Sequence, residues 1–148
     1  MVIISACFLG DNCKYDGGNN YTEWIADFTK THSCFPVCPE MAGGLSAPRP
    51  PAEIIDGRAV NRDGIDVTEA FEQGAALVWE AARKKASELG EEIEGAILKA
   101  KSPSCGSKVI YDGTFSHKTV QGDGIFVQLL KKNGINVISE NDHKEDLL

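Results

Sequence analysis

Nowhere in the chain do apolar residues run on for the roughly 20 positions that a bilayer-spanning helix needs. No membrane partner is expected. Excess positive charge is missing as well: 15 Lys and Arg stand against 22 Asp and Glu, a net charge of −7. Nucleic-acid affinity comes largely from clustered cations, so an extensive nucleic-acid surface is not expected, and a small-molecule partner is. The opening MVIISACFLGD has neither a basic leader nor a long apolar stretch, which predicts a cytoplasmic location. The paired C-x2-C knuckles typical of structural zinc are also absent.

What is present is an odd number of cysteines, Cys7, Cys13, Cys34, Cys38 and Cys105. In a reducing compartment such residues serve as metal ligands, reactive thiols or small buried hydrophobes rather than as a disulfide framework.

Along the 148 residues, strand and helix signals alternate. VIISACFL reads as a strand covered on both faces, and the Gly- and Asn-rich GDNCKYDGGNN breaks it. Asn20 with Glu23 resembles a capping box ahead of a helix carrying Trp24, Ile25 and Phe28. CFPVCPE is a short strand leaving at Cys38-Pro39-Glu40. Residues 41–65 read as an extended functional loop with a hairpin at AVNRDGID. Asp66 and Glu69 open a long helix with Phe71, Ala75, Val78, Ala82 and Leu89 at helical spacing, ended by Gly90. GAILKA is a strand, GDGIFVQLLKKNG a helix and INVISE a last strand. The pattern predicts one α/β domain over 1–148, a mainly parallel sheet with flanking helices in a Rossmann-like three-layer arrangement.

In such sheets ligands collect beyond the carboxyl ends of the strands. Cys7, Cys38 and Cys105 each fall at or just past such an end, so three strands deliver three thiols to one rim. Soft thiolates select zinc, copper(I) or iron–sulfur clusters, and scattered single cysteines suit a cluster best. Cys34, at the start of its strand, reads as buried. Cys13 is open to roles as ligand, redox partner or structural filler.

SACFLGDNCKYDGGNN, PVCPEMAGGLSAPRPPAEI, KSPSCGSKVIYDGTFS and GDGIFVQLLKKNGINVISE, in this order, resemble the bacterial thiouracil desulfurase family over nearly the whole chain. Departures are modest: Phe8 stands where Leu is common, and the stretch from Glu53 to Asn61 is short. The resemblance implies a [4Fe-4S] cluster on Cys7, Cys38 and Cys105 whose remaining iron takes the substrate sulfur. Cys13 shares the motif of Cys7. The implied reaction is non-redox hydrolytic desulfuration of 2-thiouracil, or a related thiolated pyrimidine, to uracil plus sulfide.

Glu40, two residues past Cys38, is then the candidate general base. Ser102 and Ser104 flank Cys105 and could hydrogen-bond the pyrimidine or a developing anion. Asp16 and Arg49 are candidate substrate contacts, each with a structural alternative: a turn for Asp16, an ion pair for Arg49. None of the three histidines is assigned to the chemistry. Two other readings compete, a thiol redox enzyme using Cys34 and Cys38, and a non-catalytic metal-binding or sulfur-carrying module.

Overall fold

The computed structural model describes residues 1–147. In chain order its elements are β1 (Val2–Ser5), α1 (Glu23–Thr29), β2 (Cys34–Val37), α2 (Pro39–Ala42), β3 (Ala52–Ile55), β4 (Arg58–Asn61), α3 (Thr68–Leu89), β5 (Gly95–Ile97), β6 (Val109–Tyr111), β7 (Thr119–Gln121), α4 (Ile125–Lys132) and β8 (Val137–Ile138). Every residue of β1 is buried. Successive side chains of a strand point to opposite faces, so Val2 and Ile4 enter one apolar cluster and Ile3 the other. Both faces must therefore be covered.

The order β2-β1-β5-β8 makes a parallel sheet. One face carries α3 and α4, which contribute Ala75, Val78, Ala82, Phe126 and Leu130. The other carries α1 through Ile25 and Phe28, together with Phe8 and Leu147. Each large side chain buried in this way contributes about 1.5–3 kcal/mol. The three-layer α/β expectation thus holds. Pro36 cannot donate to a ladder, and it sits on β2, an edge strand where that costs least.

The local expectations fared unevenly. β1 stops at Ser5, and Ala6–Leu9 form a 3-10 turn closed by Gly10 at φ 95°. Asn20 does not cap α1: Thr22 occupies that position, while the Asn20 amide turns to Cys7. Asp66 does receive the Thr68 N–H at 2.9 Å, although Val67 holds the cap position of α3. Gly90 ends α3 at φ 67°.

Residues 41–65 are more regular than a loop. They include the end of α2 and a β3–β4 hairpin that turns at Asp56 (φ 49°) and Gly57 (φ 77°). Two consecutive positive φ values are what a two-residue primed turn demands, and Asp-Gly supplies them. The later Asn61–Gly64 turn folds the chain back only as far as a Val60–Asp66 bridge. The β6–β7 hairpin, which the sequence reading did not anticipate, packs beside β3.

One close approach positions the site. A Cβ on Gly74 of α3 would strike the Pro39 carbonyl, and one on Gly43 the Ala70 carbonyl. Only glycines let α2 lie this tightly on α3, and α2 carries the Cys38–Glu40 exit.

Candidate active site

A cavity of about 400 Å³ opens at the carboxyl end of the sheet. Cys7 enters it from the 3-10 turn after β1, Cys38 from the end of β2 and Cys105 from the turn beyond β5. Cys13 joins them from the Gly-rich loop. Cys34 does not, because it begins β2, and four residues of extended chain place it about 13 Å from Cys38. It is half-buried rather than enclosed.

The thiols differ electrostatically. Cys13 lies between Cys7 and Cys38 and shares its proton with both, which raises its own pKa and lowers theirs. Cys7 is helped further by the Asn20 amide, whose nitrogen is 3.4 Å from its sulfur. Cys38 falls to about 7 against the desolvation that opposes it. Burial pushes Cys105 up to about 12, with the Ser104 and Ser5 hydroxyls pulling the other way.

Glu40 and Arg49, both largely buried, form an ion pair: Arg49 Nε donates to Glu40 Oε1 at 3.2 Å. The remaining guanidinium nitrogens donate to the carbonyls of Ser46 and Cys13, each at 2.9 Å. Arg49 therefore ties Glu40 to the Cys13 loop. The Ser104 hydroxyl donates to Glu40 Oε2 at 2.9 Å and lies 3.7 Å from the Cys105 sulfur. Ser102 Oγ instead accepts the N–H groups of Ser104 (3.2 Å) and Cys105 (3.1 Å), which shapes the turn. Carboxylate, hydroxyl and thiol thus form one connected line into the cavity.

Of the residues singled out from the sequence, Cys7, Cys38, Cys105, Glu40, Ser102, Ser104 and Arg49 all line this cavity. Asp16 is not brought to it: its carboxylate accepts the Gly18 N–H at 2.9 Å and pairs with Lys14 on an exposed turn. His117, assigned no role, lies in the cavity wall, as do Glu53, Arg62 and Tyr111. These come from the two hairpins, which carry no cysteine or proline signal to mark them. The carboxylate in the apolar run AEII and the inclusion of Glu53 and Tyr111 in two of the family-like motifs were the available hints.

The donor set can be tested against a metal group. Among the described residues no three His, Cys, Asp or Glu side chains are placed to hold a single metal ion. The thiols of Cys7, Cys38 and Cys105 are the soft donors an iron–sulfur cluster takes, and they share the cavity lining with His117.

Residues 2–142 match the 2-thiouracil desulfurase family. The chain is 40% identical to the uncharacterized protein YbbK of Bacillus subtilis (strain 168), over 96% of this chain and 97% of that protein. It is also similar to the solved structure of a [4Fe-4S]-dependent thiouracil desulfidase, TudS, with 39% identity and a TM-score of 0.83. That match covers 99% of this chain and 93% of the other.

Proposed function

Because the chain belongs to the 2-thiouracil desulfurase family, we propose that it is an enzyme that removes sulfur hydrolytically from 2-thiouracil or a related thiolated pyrimidine. The observation that carries this reading is the junction of the thiols with the Glu40–Ser104 pair in one cavity. The overall change is C=S plus water to C=O plus hydrogen sulfide, with no net redox step.

Cys7, Cys38 and Cys105 would hold a [4Fe-4S] cluster, each from a different segment of the rim. Bound there, it supplies a soft Lewis acid matched to a thiocarbonyl sulfur. Cys13 hydrogen-bonds toward two of the three and serves to order them.

Glu40 is the general base. Arg49 anchors Oε1, so the carboxylate presents Oε2 with its orientation set. Oε2 takes the proton of the attacking water, and Ser104, already hydrogen-bonded to it, passes the proton on or donates to negative charge developing on the ring. Ser102 positions Ser104 through the turn rather than meeting the substrate. Arg49 acts through Glu40, and the proposal gives Asp16 no part in substrate binding.

The thiol-redox alternative loses its pair, since Cys34 and Cys38 lie at opposite ends of β2, well beyond the reach of a disulfide. Protein reconstituted anaerobically with iron and sulfide should convert 2-thiouracil to uracil and release sulfide in equal amount. Retained activity in a cluster-free preparation contradicts the proposal.

A further inference from the structure

One buried carboxylate in the cavity wall has no part in the proposed chemistry. Glu53 on β3 is 8% exposed. Its Oε1 accepts the N–H groups of Gly113 (3.0 Å) and Phe115 (3.1 Å), which binds the β6–β7 turn to β3. Among the described residues Oε2 has no hydrogen-bond partner, since both bonds go to Oε1. Among the described residues only Ser107 Oγ is sealed from solvent with no hydrogen-bond partner, so Oε2 is not sealed, and Glu53 lines the cavity. No lysine, arginine or histidine among the described residues forms an ion pair with it.

A carboxylate oxygen in this position can only accept. A pyrimidine carries ring N–H donors whatever happens to its sulfur. Burying such a donor without an acceptor is costly, and a charged acceptor makes the stronger bond. The two backbone bonds on Oε1 aim the free oxygen before any ligand arrives.

We propose that Glu53 is a specificity-determining residue that accepts a hydrogen bond from a ring N–H of the thiolated pyrimidine. This rests on the desulfurase reading for the identity of the ring. A pyrimidine methylated at the nitrogen that Glu53 reads would meet an acceptor with nothing to offer it.

The test is Glu53→Gln in anaerobically reconstituted protein. The amide oxygen can take the place of Oε1 and keep both backbone bonds, while the NH2 group replaces the acceptor with a donor that opposes the ring N–H. The unfolding midpoint should stay unchanged. The KM for 2-thiouracil and the Kd for uracil, measured by calorimetry, should each rise about tenfold or more, with kcat less affected. One of 1-methyl- and 3-methyl-2-thiouracil should bind the wild type weakly and lose nothing further in the variant.

Unchanged uracil binding in the variant overturns the assignment, as does an equal loss for thiouracil and both methylated rings. Failure of the wild type to bind either unmethylated ring overturns it too. Uracil has the same ring N–H groups and no sulfur, which separates the two ideas. Loss of uracil binding in a protein whose wild type releases no sulfide would sustain Glu53 and sink desulfuration. Sulfide release with unaltered uracil binding does the reverse.

Discussion

The two ends of the parallel sheet carry the same kinds of side chain and put them to different uses. At the carboxyl end Cys38 sits beside Cys13, falls to about 7 and faces a cavity. At the amino end of the same strand, burial raises Cys34 to about 11, and its thiol donates to the His32 carbonyl at 3.3 Å. Carboxylates divide in the same way. Glu40 is held by Arg49 and Ser104, whereas Glu91 accepts the Ser33 hydroxyl at 2.7 Å and lies 4.0 Å from the terminal amine. In a parallel sheet all strands end on one side, so the loops that can meet one another are those that leave together. Polarity of the strand, and not residue type, decides which cysteine and which glutamate belong to the site.

The widest expected contrast is between the two cysteines. Cys38→Ser should abolish both cluster uptake, read as iron content and visible absorbance, and sulfide release. Cys34→Ser should leave both near wild type; equal losses in the two variants would erase the distinction. A smaller effect is expected at the carboxylates. Glu40→Gln should lower kcat by roughly a hundredfold or more while retaining the cluster, within the range usual for loss of a general base. Glu91→Gln should leave kcat unchanged, and a Glu40 variant of full activity would remove the base from the mechanism.

The smallest effect is one of reactivity in cluster-free protein. The lowered pKa means that the Cys38 thiolate is the minor form below about 7 and the major form above it, so its alkylation should reach half its limiting rate near that pH. Cys34 should respond only as pH approaches about 11. Peptide mapping of alkylated protein gives both profiles, and the opposite order would invert the comparison.

Much of the scaffold could be read in advance. β1, α3, β5 and α4 are dominated by local patterning, and Gly90 and Gly134 both adopt the positive φ their helix ends require. The exit of Cys38 followed from where its strand stops, whereas the strand read through Leu9 ends at Ser5, before Cys7. The hairpins were harder: two Asp-Gly pairs compete in DGRAVNRDG, and the one that closes a ladder is settled by pairing of β3 with β4, which no local signal reports. Asn20 looked like a cap because its spacing to Glu23 fits one, yet its amide goes to a sulfur 13 residues earlier.

The candidate site shows the same division. Cysteine, serine and glutamate positions stood out by type and neighbourhood, and Arg49 had been weighed as either a substrate contact or an ion pair. The Glu40–Arg49–Ser104 line joins residues up to 64 apart in sequence, and Glu53 reaches Gly113 across 60.

The sequence by itself determined the alternation of apolar strands and amphipathic helices, the rim to which the thiols are delivered, and the family. Those depend on side-chain periodicity and on motifs read within short windows. Only the tertiary structure decided which donor meets which acceptor, that Cys13 meets two other thiols, and that Glu53 lines the cavity while its Oε1 holds the β6–β7 turn. Hydrogen bonds are satisfied by whatever the folded chain brings within about 3 Å, and that proximity arises from packing of α2 on α3 and of two hairpins beside each other, between segments distant in sequence.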